Sequence, residues 1–302
     1  MLFAVHISDG VLTWPWLAGG FVFAWLLVLA AAWRIREEEI PRVAILTAAF
    51  FVSSSIHIRV GPTSIHLLLA GLVVVLIGLR AALAVFVVLL LQVLLIGHGG
   101  YLTLGVNTCI MTIPALACFV LFQLLHGVPW IKEPIARRIL VGCSAIVLFL
   151  SAVYSLTLLL NTPLDRLDGD TLALANARLL EPWVIGGAFL FALAAIVLES
   201  RLENTPEFPL GFLVGELAVL LTVGLNCVVL IAGGEKEWPV MPLLLVIAHL
   251  PFAVVEGVIL GFAVGFLTRV KPEMLGQLNH GGHGEHGGKE RVTAAAVSPT
   301  SD

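Results

Sequence analysis

The sequence predicts an all-α fold, a polytopic bundle of about seven to nine transmembrane helices with the N-terminus outside and the C-terminus in the cytoplasm. Of its 302 residues, 59% are hydrophobic and only 12% are charged, whereas soluble globular chains have roughly 25% charged residues. Apolar segments of about 17 to 25 residues, long enough to cross a bilayer, recur from end to end. None of them alternates like a barrel strand, and only helices and closed barrels span membranes.

The candidate spans follow one another along the whole chain, and the second and third of them are short. They lie near 14–33, 43–57, 64–79, 81–97, 102–125, 139–160, 183–199, 209–232 and 240–267. Trp14-Pro15-Trp16 is typical of an interfacial belt, and no basic region precedes it, so we expect no cleavable signal peptide. Most of the 16 Lys and Arg residues fall inside when the N-terminus is outside, as the positive-inside rule requires.

We expect two regions, an integral membrane domain over 1–271 and a disordered cytoplasmic tail over 272–302. The tail is polar and rich in glycine. Its histidines either bind metal loosely or have no required role; they are His280, His283 and His286. The net charge of −4 and the absence of a basic stripe exclude a nucleic-acid partner. The connector 161–182 is expected to be solvated.

Polar residues at membrane depth are costly and commonly face an interior site. The first group is Val5-His6-Ile7-Ser8-Asp9-Gly10, directly before the first apolar run. The second runs from Ile56 to Leu68 and contains His57 and His66 around a Gly61-Pro62 turn. We expect Thr63 or Ser64 to cap the next helix, so that its positive N-terminal end keeps His66 neutral and able to bind a metal.

The third group surrounds His98 and contains a glycine-rich turn. Gln92 and Asn107 flank it and are positioned to hydrogen-bond a ligand or a ligating histidine; the turn itself is formed by Gly97, Gly99 and Gly100. Three histidines converging on the outer side favour a metal site over packing histidines. His249 and Glu256 lie nearly on one face of the last helix and are expected to join helices rather than bind metal.

These motifs, in this order, resemble the cobalt and nickel uptake membrane proteins of the CbiM/NikM type. His6-Ile7-Ser8-Asp9-Gly10 resembles their Met-His-Ile-x-Asp-Gly start, and Ser64-Ile65-His66-Leu67-Leu68 resembles their Ser-Gly-His-Leu-Leu segment. The stretch from Gln92 to Met111 resembles Gln-x-Leu-Leu-x-Gly-(Asp or His)-Gly-Gly-x-x-x-Leu-Gly-x-Asn-x-x-x-Met. The resemblance covers 5–125 and 240–273, and it is weak over 126–239.

The resemblance implies the substrate-capture component of an energy-coupling-factor ABC importer in the inner (plasma) membrane. It implies that His6, His66 and the N-terminal amine bind Co²⁺ or Ni²⁺, supported by Val5, His57, Gln92, His98 and Asn107. It also implies separate ATPase subunits, a coupling transmembrane subunit and often a small accessory membrane protein. The chain has no Gly-x-x-x-x-Gly-Lys-(Ser or Thr) loop, so we expect a transport subunit and not an enzyme. Cobalt would point to cobalamin synthesis.

The chain departs from the family pattern in two places. The family's ligating histidine directly follows the initiator Met, whereas His6 follows Val5 with four more residues ahead. A start at Met1 would displace the amine from the chelate. Because a GTG codon is read as Val inside a gene and as Met at its start, we hypothesise that Val5 is the true first residue. Ile65 replaces a family Gly beside His66, which would narrow the site or change its metal preference.

Three other functions remain open from the residues. The main alternative is a stand-alone metal-cation secondary transporter or channel, which would need paired charges along a pore, and mainly Glu256 is available. An intramembrane hydrolase would use Ser8 or Ser64 with a nearby histidine, but no Gly-x-Ser-x-Gly motif is present. A scaffold without a ligand does not explain why the polar turns gather on one side.

Overall fold

The computed structural model describes residues 3–4, 6–56, 58–60, 63–126, 133–161, 169–202, 207–234, 241–271 and 274–275. Helices dominate these residues, which confirms the all-α prediction. The helices are α1 Trp14–Ala32, α2 Ile40–Ser54, α3 Ala70–Ile77, α4 Ala81–Leu91, α5 Leu104–Leu125, α6 Pro134–Asn161, α7 Gly169–Leu179, α8 Pro182–Leu202, α9 Phe208–Gly233 and α10 Met241–Val270. The predicted connector 161–182 therefore contains a helix, α7, because its second half is apolar enough to pack on α6 through Ala175.

The protein is a multi-pass membrane protein. Among the described residues, seven helical stretches are long and apolar enough to cross a bilayer, which lies within the predicted range. They are Trp14–Ala32, Ala70–Ile96, Leu104–Leu125, Pro134–Leu158, Pro182–Arg201, Phe208–Gly233 and Leu245–Val270. Helix α2 has 15 residues and measures about 22 Å, which is short of the roughly 30 Å hydrocarbon layer.

The stretch Ala70–Ile96 is long enough to cross a bilayer by its residue count alone, because it folds as two antiparallel helices, α3 and α4. A straight helix of 27 residues would be about 40 Å long, yet the rings of His66 and His98, on either side of it, are 5.9 Å apart. The chain reverses in a 3₁₀ turn, Gly78–Arg80. There Arg80 donates a 2.6 Å hydrogen bond to the carbonyl of Ala31, at the end of α1. The sequence prediction also placed 64–79 and 81–97 in separate segments.

A small sheet precedes α3. Its strands are β1 Phe3–Ala4, β2 Ile58–Val60 and β3 Thr63–Ile65, in the order β1-β3-β2. Strand β3 pairs parallel to β1, with Phe3 opposite Thr63, and antiparallel to β2. The prediction that Thr63 or Ser64 caps a helix was therefore wrong, because both pair as strand residues and α3 begins at Ala70. The helix-end argument for keeping His66 neutral also loses its basis.

Helices α9 and α10 pack closely through a Gly-x-x-x-Gly pair on each. These glycines are Gly211, Gly215, Gly257 and Gly261. A Cβ on Gly215 would lie 2.7 Å from the backbone oxygen of Glu256, and one on Gly257 would lie 2.8 Å from that of Phe212. Small residues let transmembrane helices approach in this way. The main core lies between this pair and α3, α4 and α5, with Val74, Ala84 and Val214 fully buried.

Candidate metal centre

Three histidines from distant parts of the sequence meet at one end of the bundle, and we call them the histidine cluster. One ring nitrogen from each of His6, His66 and His98 lies within 4.8 Å of the others. The ring centroids are 4.9 Å apart for His6 and His66, and 5.1 Å apart for His6 and His98. His6 and His66 are buried, with 2% and 0% exposure, whereas His98 is half-buried. Such a set of imidazoles suits a first-row transition metal.

Helix α5 fixes the backbone next to His6 through Asn107. The N–H of Ile7 donates to Asn107 Oδ1 at 2.9 Å, and Asn107 Nδ2 donates to the carbonyl of Ile7 at 2.9 Å. The Thr103 hydroxyl donates to the same carbonyl at 2.6 Å. Both polar side chains are buried. Asn107 therefore supports the cluster by holding the chain that carries His6.

Asp9 joins the first segment to the turn before α5. Its carboxylate accepts hydrogen bonds from the backbone N–H groups of Tyr101, Leu102 and Thr103, at 2.9, 2.9 and 3.1 Å. These amides belong to the turn that leads into α5, and a negative charge next to the N-terminal end of a helix is favourable. Neither Asp9 nor Thr103 was among the residues predicted to form the site. The position of Asp9 in the first polar motif was the available signal. Its contact with the residues before α5 could not be predicted, because Asp9 and α5 are close in the fold and not in the sequence.

The turn that carries His98 is shaped by its glycines. Helix α4 continues as a π-helical turn, Gln92–Ile96, and ends at Gly97 with φ +66°. Gly99 has φ +83°, and a Cβ there would lie 3.6 Å from that of His6. A Cβ on Gly100 would lie 2.1 Å from Asp9 Oδ1, so the close contact of the two segments requires glycine at this position.

Gln92 supports this turn through its backbone and not through a side-chain contact with the cluster. Its carbonyl accepts the N–H of His98 at 3.1 Å. Its side-chain Nε2 donates to the hydroxyl of Ser54, at the end of α2, at 2.8 Å. Gln92 is fully buried, so it ties α2 and α4 together directly beneath the His98 turn.

His66 lies in an extended segment between β3 and α3. Its Nδ1 is 3.2 Å from the carbonyl of Leu67. The backbone N–H groups of Leu68 and Leu69 both donate to Glu256 Oε1 on α10. Glu256 therefore contacts the His66 segment, by which we mean the residues from His66 to Leu69 between β3 and α3. The spacing of residues along α10 could not reveal this contact, because its two sides are far apart in the sequence.

Several of the predicted site residues lie outside the described part of the chain, so the structure places none of them. They are Val5, His57, His280, His283 and His286. The described residues ahead of His6, Phe3 and Ala4, pair with Thr63 and Ser64 in β3. The segment that leads to His6 thus runs beside the segment that leads to His66.

The sequence matches the family model described as the cobalt uptake substrate-specific transmembrane region, over residues 6–197 and 168–274. It is 40% identical over 119 residues to a Haemophilus influenzae protein named as a candidate metal transport protein, covering 39% of this chain and 58% of that one. It is 33% identical over 132 residues to a Methanocorpusculum labreanum protein named as a candidate fused cobalt transport protein CbiMQ, covering 40% of this chain and 22% of that one.

The fold resembles a solved structure described as a truncated transition metal transporter. The TM-score is 0.50 at 17% sequence identity, and the match covers 88% of this chain and 99% of that one. At this identity, the likeness concerns the fold alone. The matched part of this chain spans less than two thirds of the length of each of the two relatives named above, 58% of one and 22% of the other.

Proposed function

Because the chain belongs to the family of cobalt uptake substrate-specific transmembrane proteins, we propose that it is the substrate-capture subunit of an energy-coupling-factor ABC importer in the plasma membrane. We further propose that it binds Co²⁺ near the outer face, with Ni²⁺ as a second candidate. The observation that carries the proposal is the meeting of His6, His66 and His98 within 4.8 Å. Imidazole suits both ions, so the donor set does not choose between them.

The cluster would close slightly around the ion. Two nitrogens bound to one ion at about 2.1 Å, the distance known for Zn²⁺, are at most about 4.2 Å apart, whereas the present separation reaches 4.8 Å. The three imidazoles would therefore have to move closer together, and by more than this difference for any pair that does not lie on opposite sides of the ion. If the mature chain begins at Val5, its amine and the His6 amide add two more nitrogens beside the His6 ring.

ATP hydrolysis is assigned to partner subunits, because the sequence contains no phosphate-binding loop of the Gly-x-x-x-x-Gly-Lys-(Ser or Thr) type. We propose a coupling transmembrane subunit as the direct partner and a small accessory membrane protein as a further candidate partner. The name of the fused Methanocorpusculum labreanum relative, CbiMQ, supports the association of this kind of chain with a second transport component. Release of the ion inward would follow when the partners tilt or reshape this subunit.

The test is Co²⁺ binding by the purified chain and by three single variants, His6→Ala, His66→Ala and His98→Ala. We expect about one ion per chain for the wild type and at least about tenfold weaker binding for each variant, since each removes a ligand. His126→Ala is the matched control, because His126 is exposed and stacks on Phe122 away from the cluster. Wild-type binding by all three variants would contradict the proposed site.

A second comparison tests the amine. One chain begins at Met1, and the other begins with an initiating Met in place of Val5; both lack the tail from residue 276. We expect the shorter chain to bind Co²⁺ more tightly, because its amine, amide and imidazole then form one chelate. Equal affinities would show that the amine takes no part, and the three imidazoles would remain as the site. N-terminal sequencing of the native protein identifies the true first residue.

A further inference from the structure

A buried carboxylate lies directly beneath the segment that carries His66. Glu256, on α10, is 3% exposed. Its Oε1 accepts the backbone N–H of Leu68 and, at 3.0 Å, that of Leu69. Leu68 is itself 1% exposed. Buried N–H groups are costly to leave without an acceptor. This one oxygen is the acceptor for both amides, which lie two and three residues after His66.

The contact holds the chain at a point where the backbone needs support. Leu69 has φ +45° and lies in the left-handed region, which a branched side chain seldom adopts. It separates the extended residues after β3 from the first turn of α3 at Ala70. The direction in which His66 enters the cluster therefore depends on the conformation that Glu256 stabilises at Leu68 and Leu69.

Glu256 lies where α10 packs closely against α9. Its backbone oxygen lies where a side chain on Gly215 would be, and its neighbour Gly257 packs on the backbone of Phe212. The same glycine contacts join α9 and α10 over two turns. Glu256 thus moves with the α9–α10 pair, and through its carboxylate the His66 segment is tied to that pair.

We propose that Glu256 is a positioning residue that sets the place of His66 in the histidine cluster and transmits a displacement of α10 to the metal site. This inference rests on the proposed function, because it concerns the same ion. Helix α10 contributes no histidine to the cluster. In this proposal it nevertheless controls how closely the three imidazoles approach one another. A partner that shifts α10 would loosen the site without touching it.

The test compares Glu256→Gln with Glu256→Asp in Co²⁺ binding by the full chain. Gln keeps the length and the acceptor oxygen, so we expect binding within about threefold of the wild type. Asp keeps the charge but is shorter by one methylene, so both amides lose their acceptor and binding weakens by at least about tenfold. The reverse order, or equal binding by both variants, would overturn the proposal.

The matched controls are Glu216→Gln and Glu216→Asp. Glu216 is a half-buried carboxylate on α9 in the same helix pair, packed against Gly257, and we expect both variants to bind Co²⁺ like the wild type. A loss at Glu216→Asp as large as that at Glu256→Asp would assign the effect to the helix pair in general and overturn the positioning role.

Amide hydrogen exchange without metal separates this proposal from the proposed function. We expect the amides of Leu68 and Leu69 to exchange faster in Glu256→Asp than in the wild type, and to be unchanged in Glu216→Asp. An unchanged exchange rate in Glu256→Asp would show that Glu256 does not hold these two amides and would overturn the proposal. If exchange is faster in Glu256→Asp but the wild type binds no Co²⁺, the contact between Glu256 and the two amides is supported and the proposed function is overturned.

Discussion

Asn107 contributes to the candidate site by holding the backbone next to His6. It exchanges two hydrogen bonds with Ile7, one residue after His6. We predict that Asn107→Leu weakens Co²⁺ binding by at least about tenfold, because the buried N–H of Ile7 loses its acceptor, the carbonyl of Ile7 keeps only the Thr103 hydroxyl, and the His6 segment shifts. Titration calorimetry of the purified variant measures this directly.

Thr108→Val is the control for that experiment. Thr108 is the next residue of α5 and is fully buried, but its hydroxyl bonds to the carbonyl of Leu104 within the helix. It therefore reports on the general cost of changing a buried polar residue of α5. If both variants bind alike, Asn107 has no specific role in holding His6.

The histidine cluster also sets a pH dependence. Imidazole binds metal in its neutral form, and ordinary histidines have a pKa of about 6.5. We predict that Co²⁺ affinity is nearly constant above about pH 7.5 and falls as pH decreases below about 6.5, because protons compete for the three rings. Binding measured from pH 8 to pH 5 checks this, and His98→Ala should reduce the slope. A flat profile would rule out imidazole ligands.

At the scale of elements, the contact between the first polar segment and the turn before α5 depends on Gly100. A Cβ there would lie 2.1 Å from Asp9 Oδ1 and 2.6 Å from its backbone nitrogen. We predict that Gly100→Ala separates the two segments, with a lower melting temperature and weaker Co²⁺ binding. Gly224→Ala is the control, because Gly224 lies inside α9 and a Cβ there meets nothing within 4 Å. Equal effects on Co²⁺ binding would show that the Asp9 contact is not what matters.

The helices could be predicted from the sequence because membrane helices need length and apolarity, both of which are visible in a single segment. The first apolar run, 14–33, became α1 Trp14–Ala32, and 102–125 became α5 Leu104–Leu125. The strands β1 to β3 could not be predicted, because two or three residues carry no periodicity. Because β3 precedes His66, this residue lies in an extended segment and not in the first turn of a helix, as was predicted.

The contacts of the site were harder to predict than its histidines. Polar residues in an apolar chain stand out, so His6, His66 and His98 were all identified, although His98 was predicted to support the site and lies in the cluster itself. The roles of Asp9 and Glu256 depend on pairs about 90 and 190 residues apart in the chain. Nothing in one sequence fixes such pairs, because they arise only when the first polar segment packs on the turn before α5 and α10 packs on the segment between β3 and α3.

At the scale of the molecule, the two ends of the bundle have different chemistry. The histidine cluster lies at one end, where Leu12 pairs with Gly234 after α9. The opposite end contains the reversal at Arg80, whose guanidinium forms an ion pair with Glu39 at 2.9 Å. Arg42, near Glu39, donates to the carbonyl of Met274 after α10. The first and last described segments therefore lie at opposite ends, and the placement of the histidine end outside stays a prediction from the Lys and Arg distribution.

This arrangement predicts the behaviour of the chain without partners. His6 and His66 are buried at one end, and the carboxylate of Glu256, farther along α10, is engaged by two backbone amides. We therefore expect the chain alone in sealed vesicles to bind about one Co²⁺ per accessible molecule and to accumulate none in the lumen. Among the described residues, a buried ion pair joins Arg137 near the start of α6 to Glu199 near the end of α8, so it does not line a path through the bundle as a pore would require. A chelating dye inside the vesicles reports entry, and His66→Ala reports non-specific binding. Sustained uptake by the lone chain, lost in His66→Ala, would instead establish a stand-alone transporter that uses the same site.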